Sequence, residues 1–287
     1  MHIQVLMEDK KVLGPDGRDA FLTEHGLSLW IETKNRVILF DTGQSGAFLK
    51  NAQKLGLDLR EVDMVILSHG HYDHTGGLAE FLQVNQKAKV YIRETALKKL
   101  YHVIKEDQIR DIGLPQSFME AFEKDRDRFV LTKGDVTLEE GISLFTNVTK
   151  RKCYPGTNLV LKCGEKLEQD LFDHEQNLIL SEEGKDYLIC GCAHNGIINI
   201  IEEYEERTRR KAQAVIGGFH TGRKSGLTQE DMDNLQKIGA ILKERSNQEG
   251  PYLYYTGHCT GQESYDILKS QLGDHLKELS TGSKMCL

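Results

Sequence analysis

The sequence predicts one α/β domain in which helices and sheets pack in layers. Strand-sized apolar runs alternate with stretches of helical period along most of the 287 residues. By the scaling of surface with mass, a chain of 32.6 kDa can bury roughly 74% of its unfolded surface, so its core needs no disulfide staples. Only four prolines occur, and no segment has the composition of a linker. We therefore expect residues 1–287 to form a single domain.

The first third of the chain is rich in strands. We expect strands at 2–8, 27–32, 36–40, 62–67 and 89–92, with helices at 45–55 and from residue 76. The run from Val62 to Leu67 is almost continuously apolar, which is typical of a strand buried on both faces.

Residues 95–127 interrupt this pattern with a highly charged block. Leu97, Leu100, Val103 and Ile104 have helical spacing, and a second helix is expected around 118–122, after a break at 113–115. The block therefore predicts a helical insertion that covers a site. A solvated surface hairpin explains its charge equally well.

The strands resume after residue 128. We expect them at 129–132, 142–146, 159–162, 178–180, 187–190, 215–216 and 252–255, with helices at 197–210 and 228–245.

Composition excludes several classes of protein. The net charge is −7 and the few basic clusters are short and flanked by acids, which argues against nucleic acid as a partner. The longest apolar runs are strand-sized, whereas a membrane span needs about 20 residues. Residues 1–11 lack the apolar core of a secretory signal, so we expect a cytosolic protein whose six cysteines are thiols. The oligomeric state is left open.

The most informative segment is the loop at 68–77, directly after the buried strand. Four metal-competent side chains lie within six positions: His69, His71, Asp73 and His74. One histidine alone would more simply be a solvated or capping residue, but four beside small glycines at 70, 76 and 77 predict metal binding. Imidazole with carboxylate suits zinc first, then iron or manganese, better than calcium or magnesium. Because a tight loop projects its side chains in two directions, the spacing predicts two adjacent metals.

Three later histidines also follow predicted strands. His194 precedes a helix that starts at a glycine, so it is either a metal ligand or an N-terminal cap. His220 either binds metal or donates to a substrate oxygen. His258 occupies the equivalent position after the strand at 252–255.

The motif H-x-H-x-D-H resembles the signature of the metallo-β-lactamase superfamily. The turn Phe40-Asp41-Thr42-Gly43 resembles its first motif. Further segments resemble the branch related to the dihydropterin-ribofuranosylaminobenzene-phosphate synthase, namely 24–29, 191–197, 217–220 and 258–261. The resemblance implies a four-layer αββα sandwich with halves of about 1–130 and 131–287, and with the metals at one edge between its sheets.

The resemblance also implies roles for individual residues. It makes His258 the last metal-binding histidine and Asp41 a carboxylate that holds the metal loop without ligating. The sequence departs from the pattern where a third-motif histidine is expected, since the nearest candidates are Asp173 and His174. Cys192 has the spacing of the bridging ligand, and it is either a thiolate ligand or a small buried residue. Which of Asp173, His174, Cys192 or His220 completes the ligand set stays open.

Substrate contacts are expected from residues beside the metals. Glu24 and His25 either contact substrate or form a hydrogen-bonded turn. Since the sequence has no Walker-type loop, phosphate would be bound by the metals, the histidines, Arg223 and Lys224.

Two adjacent metals would activate a water molecule and polarise a phosphoryl or carbonyl oxygen. Asp73 would orient that water or ligate the second ion, and His220 would stabilise the developing oxyanion. The branch implies instead condensation of a pterin pyrophosphate with a ribosylated aminobenzene phosphate. We therefore expect a metal-dependent hydrolase or transferase with a phosphorylated or pterin-like small-molecule substrate. The alternatives are a di-iron redox protein and a non-catalytic binding protein.

Overall fold

The structure, a computed structural model, describes residues 1–15, 17, 19–247 and 252–287. It divides into two compact units. The first comprises residues 1–133, 162–168 and 280–287, and the second comprises residues 134–161 and 169–279. The prediction that residues 1–287 form one domain stays a prediction.

The secondary structure alternates strands and helices along the chain. The strands are β1 (His2–Met7), β2 (Ser28–Glu32), β3 (Val37–Phe40), β4 (Met64–Ile66), β5 (Lys89–Arg93), β6 (Leu100–Lys105), β7 (Gln108–Asp111), β8 (Phe129–Thr132), β9 (Val136–Glu139), β10 (Ile142–Phe145), β11 (Leu161–Cys163), β12 (Glu168–Gln169), β13 (Asn177–Glu182), β14 (Lys185–Ile189), β15 (Ala212–Ile216), β16 (Leu253–Thr256), β17 (Leu276–Glu278) and β18 (Lys284–Cys286). The helices are α1 (Ala47–Lys54), α2 (Tyr72–Thr75), α3 (Leu78–Val84), α4 (Gln116–Lys124), α5 (Ile197–Thr208), α6 (Gln229–Asn247) and α7 (Gln262–Leu272).

The first unit is built on a seven-stranded sheet in the order β18-β1-β2-β3-β4-β5-β8. The strands from β18 to β3 pair antiparallel, and those from β3 to β8 pair parallel. A buried apolar cluster joins this sheet to side chains of α1, α3 and α4, including Phe48, Phe81 and Phe118. Parallel strands buried in this way explain the nearly continuous apolar run from Val62 to Leu67, where the predicted buried strand is confirmed as β4 over Met64–Ile66.

The second unit repeats this plan with a sheet in the order β17-β16-β15-β14-β13-β10-β9. The strands from β9 to β14 pair antiparallel, and those from β14 to β17 pair parallel. Its core gathers Ile198, Ile201 and Tyr204 of α5 with Leu242 of α6 and Leu268 of α7. Helix α7 was absent from the sequence analysis.

The structure corrects the prediction of a helical insertion at 95–127. Residues 100–111 form the antiparallel hairpin β6–β7, and β6 also pairs with β11 in a four-stranded sheet. Strand β7 is exposed along its length, as expected for the alternative of a solvated hairpin. Only the second predicted helix is confirmed, as α4. The helical spacing misled because cross-strand pairing, which a local pattern does not report, determines the conformation of residues 100–111.

In both sheets, the candidate metal-binding residues lie just after the ends of parallel strands. The residues predicted to bind or support metal follow parallel strands: Asp41 follows β3, His69 follows β4, Cys192 follows β14, His220 follows β15 and His258 follows β16. Sites in open α/β sheets form at the carboxyl ends of such strands. Among residues 1–15, 17, 19–247 and 252–287, every helix is too short or too polar to cross a membrane.

Candidate metal centre

The first unit brings its four predicted donors together. The loop after β4 carries His69 and His71, and the one-turn helix α2 carries Asp73 and His74. All four side chains are buried. His69 Nε2 lies 3.0 Å from His71 Nδ1, and the ring centroids of His69 and His74 are 4.2 Å apart. His74 Nε2 lies 3.6 Å from Asp73 Oδ2. Donors this close can share one metal centre.

Asp41 supports this loop through hydrogen bonds to Ser68 and His74. Its carboxylate is fully buried and accepts three hydrogen bonds: the Ser68 N–H donates at 2.7 Å, the Ser68 hydroxyl at 2.7 Å and His74 Nδ1 at 2.6 Å. A proton fixed on Nδ1 leaves the Nε2 lone pair of His74 for a metal. His69 Nδ1 lies 2.8 Å from the Ser68 hydroxyl oxygen. That hydroxyl donates to Asp41 and accepts from His69, so Nε2 of His69 is likewise directed away from the support.

The predicted role of glycine in this loop has a clear structural reason. A Cβ on Gly76 would lie 2.2 Å from the carbonyl oxygen of Gln44. One on Gly77 would lie 2.4 Å from the carbonyl oxygens of Thr42 and Ser45. The metal loop therefore packs directly on the backbone that follows Asp41, which only glycine permits.

His25 connects the cluster to a residue that the sequence analysis missed. Its Nδ1 donates to Asp9 Oδ2 at 2.7 Å, and its Nε2 lies 3.4 Å from Asp73 Oδ2. The His25 side chain is 37% exposed, whereas that of Asp73 is 9% exposed. Among His25, His69, His71 and His74, His25 thus has the most exposed side chain, while the other three are buried.

Glu24, predicted with His25 as a substrate contact, has structural partners. Its carboxylate accepts from the backbone N–H groups of Gln44 and Ser45 at 3.0 and 2.9 Å and from the Ser45 hydroxyl at 2.6 Å. These bonds satisfy backbone donors of the turn just ahead of α1 and fix its conformation. The hydrogen-bonded turn left open by the sequence is therefore present at Glu24.

The second unit assembles two overlapping donor groups around Cys192. In one group Cys192, His194 and His220 have ligand atoms within 4.8 Å of one another. In the other, Cys192, His258 and Cys259 meet the same limit. Imidazole with thiolate favours zinc or iron over calcium or magnesium. The structure therefore places Cys192 and His220 beside the predicted ligands His194 and His258. It also places Cys259, which was not selected from the sequence, in one of the two donor groups.

His194 is fixed by two buried polar residues. Glu175 accepts from the His194 N–H at 2.6 Å. Asn158 donates to the His194 carbonyl at 2.7 Å, and its Oδ1 lies 3.2 Å from His194 Nδ1. The His194 ring stacks on Phe172 at 4.5 Å. With Nδ1 donating to Asn158, Nε2 is the atom of His194 that can ligate a metal.

Backbone strain marks the same loops. Ala193, His220 and His258 have φ values of 55°, 50° and 50°, in the left-handed region that side chains with a Cβ seldom adopt. Strain of this kind persists where surrounding contacts enforce it, and it concentrates at functional sites. Three such residues at the ends of β14, β15 and β16 support a functional role for this edge.

The environment of Cys259 favours its thiolate. Burial opposes ionisation, but hydrogen bonds with Cys192 and His220 and the nearby His258 and His220 rings hold the Cys259 pKa well below its usual value. A thiolate is the form of cysteine that binds metal.

The other predicted residues of this unit lie in different surroundings. Arg223 forms an ion pair with Asp231, with Nε 2.8 Å from Oδ2, and Lys224 is exposed. His174 is buried with Nε2 at 3.1 Å from Asp170 Oδ2. Neither His174 nor Asp173 belongs to the two donor groups around Cys192 described above.

Sequence reasoning missed Asp9, Ser68, Asn158, Glu175 and Cys259. Ser68 and Cys259 are direct neighbours of selected histidines, so their position was a usable signal. Asp9, Asn158 and Glu175 lie 16, 36 and 19 residues from their histidine partners. No spacing rule connects such distant residues before the fold is known.

Comparison with known proteins confirms the class that fold and motifs define. Residues 23–150 match the family described as the metallo-beta-lactamase superfamily. This match confirms the resemblance to the metallo-β-lactamase superfamily that the motifs predicted, and the predicted α/β fold class, with mixed sheets and helices, is confirmed.

Individual relatives place it more narrowly. It is 27% identical to the 7,8-dihydropterin-6-methyl-4-(β-D-ribofuranosyl)-aminobenzene-5'-phosphate synthase of Methanocaldococcus jannaschii, over 91% of this chain and 90% of that one. It is 29% identical to the uncharacterized protein MJ0448 of the same organism, over 88% and 90%. The crystal structure of Tm1679, a metal-dependent hydrolase of the β-lactamase superfamily, matches with a TM-score of 0.77 at 28% identity, over 100% and 99% of the two chains. The resemblance drawn from the motifs is therefore confirmed.

Proposed function

We propose that this chain is a metal-dependent enzyme that hydrolyses, or transfers a group of, a phosphorylated or pterin-like small molecule. The proposed ligands of two divalent metals are those selected from sequence: His69, His71, Asp73, His74, His194 and His258. The observation that carries the proposal is the buried cluster of three imidazoles and one carboxylate. The loop that carries this cluster is hydrogen-bonded to Asp41 through Ser68 and His74.

The donor set fits transition metals. Buried imidazoles whose Nδ1 protons are held by Asp41, Ser68 or Asn158 present Nε2 lone pairs, as metal-ligating histidines do. Zinc is our first choice, with iron or manganese as alternatives. When bound, two such ions supply an activated water and a Lewis acid for a phosphoryl or carbonyl oxygen.

The chain's own residues would orient the reaction. His25, held by Asp9 and partly exposed, is placed to exchange a proton at Nε2 and to contact substrate. His220 Nδ1 has no hydrogen-bond partner within the described residues and is our candidate to donate to a developing oxyanion. Lys224 is exposed and is our first candidate for a substrate phosphate, since Arg223 already pairs with Asp231.

The synthase relative supports a pterin-type substrate, and the superfamily supports hydrolysis. A direct test would load the protein with zinc, iron or manganese under anaerobic conditions. Its turnover would then be measured on an activated phosphodiester, an activated ester, and a dihydropterin pyrophosphate paired with a phosphorylated ribosyl aminobenzene. Release of pyrophosphate only when both last partners are present would identify a transferase. Release of nitrophenol from the model esters would identify a hydrolase.

The test variant carries both His69→Ala and His71→Ala, and the matched control is His2→Ala. His2 is an exposed histidine on β1 of the same unit. We expect the double variant to lose bound metal and turnover, and His2→Ala to keep both. Full turnover in a metal-free double variant would refute the proposal. Oxygen-dependent turnover with visible absorbance would refute it in favour of di-iron redox chemistry.

A further inference from the structure

Cys259 lies in a hydrogen-bonded turn beside a second thiol. The turn His258–Thr260 follows β16, and Cys192 follows β14 of the same sheet. The sulfur atoms of Cys192 and Cys259 and a ring nitrogen of His258 lie within 4.8 Å of one another. Cys259 Sγ also lies 3.6 Å from the Cys192 carbonyl oxygen. Two thiols and an imidazole are the donors of soft, closed metal sites.

The intervening strand leaves space for this sulfur. Gly218 follows β15, which lies between β14 and β16 in the sheet. A Cβ on Gly218 would lie 2.3 Å from Cys259 Sγ. The thiol therefore occupies the volume that any larger residue at 218 would fill.

Hydrogen bonds hold the turn in place. The Thr260 hydroxyl accepts from the Phe219 N–H at 2.9 Å and lies 2.5 Å from the Thr256 hydroxyl. The Cys259 carbonyl accepts from the Gly222 N–H at 2.9 Å. The position of Cys259 is thus fixed before any ligand arrives, which lowers the entropic cost of binding.

We propose that Cys192, Cys259 and His258 are ligands of one divalent metal, so that this centre contains two sulfur donors. Such a centre selects thiophilic ions such as zinc or iron(II) and discriminates against magnesium, calcium and manganese. This inference deepens the proposed function because it gives sulfur ligands to one of its metals. Its readout is spectroscopic and needs no substrate.

The test is anaerobic titration of metal-free wild-type protein with cobalt(II), which replaces zinc and absorbs strongly when it is bound to thiolate. We expect sulfur-to-cobalt charge-transfer absorption in the wild type. Cys192→Ser and Cys259→Ser should each lose roughly half of that intensity, and the double variant should lose nearly all of it, because each thiolate contributes separately. Cys153→Ser is the matched control, since Cys153 is a partly buried thiol of the same unit outside both donor groups.

Cobalt binding without sulfur absorption in the wild type would overturn the inference, as would full intensity in Cys259→Ser. A measurement on the wild type alone guards against misfolded variants: zinc should lower the number of thiols that a thiol-specific reagent modifies by two, and an equal number with and without zinc would contradict us. Sulfur absorption without turnover would refute the proposed function alone. Turnover by the metal-loaded protein without sulfur absorption would refute only this inference.

Discussion

Asp41→Asn isolates the part played by a single proton in the metal loop. Asp41 Oδ2 accepts from both the Ser68 hydroxyl and His74 Nδ1. If asparagine retains the oxygen that faces the Ser68 N–H, its amide NH₂ replaces Oδ2 and must find an acceptor. The closest is His74 Nδ1, which can accept only if the histidine proton moves to Nε2. The variant should therefore trap His74 in the tautomer that cannot ligate through Nε2.

The size of the effect follows from these contacts. Asn tolerates the left-handed φ of 58° at this position, so the backbone adds little strain. One charge-assisted hydrogen bond is lost on balance, which should lower the free energy of unfolding of the metal-free protein by about 1.5–3 kcal/mol. Loss of a residue that orients a ligating histidine typically weakens metal binding 10–100-fold.

Competition with a chromophoric chelator measures that affinity, and urea unfolding of the metal-free protein measures stability. The control is Asp63→Asn, because Asp63 also accepts from a backbone N–H, that of Val37, and from the Lys87 ammonium. We expect Asp63→Asn to cost some stability and no metal affinity. Wild-type zinc affinity in a folded Asp41→Asn protein would refute the tautomer argument.

Three further predictions concern other parts of the chain. Glu24→Gln should lower the free energy of unfolding by about 1 kcal/mol, since it weakens the hydrogen bonds from Gln44 and Ser45 that fix the turn ahead of α1, and should leave metal content unchanged; a raised KM with unchanged stability would contradict this structural role. His25→Asn should lower turnover by about 10²-fold or more with full metal content, and loss of metal instead would show that it supports the Asp73 cluster.

The third concerns pH. Burial opposes ionisation of Asp231, but hydrogen bonds from Arg223 and Thr228 hold its pKa below the usual value. A lowered folded-state pKa stabilises the protein above the unfolded pKa of about 3.9, and that contribution disappears as the pH falls through the folded-state pKa. The stability lost in Asp231→Asn should therefore be full at pH 7 and shrink below about pH 4. Urea titrations across this range test it, and an equal loss at every pH would contradict it.

Local sequence was sufficient wherever chemistry or period is concentrated in adjacent residues. Four donors within the six positions from His69 to His74 predicted a metal loop, and the apolar run before them predicted the buried strand β4. Hydrophobic period also predicted α5 and α6 within a few residues of their observed ends. It failed at β6 and β7, where pairing with distant β11 decides the conformation.

The supporting groups required the fold because their partners are far apart in sequence. Nothing local distinguishes Glu175 from the other acidic residues of the chain, yet its burial and its bonds to the backbone of the His194 loop make it structural. The sequence by itself determined which side chains can bind metal, since that is a property of residue type and short spacing. Only the tertiary structure decided which polar side chain orients each imidazole and which thiol joins Cys192, because parallel strands bring their ends together regardless of the length of chain between them.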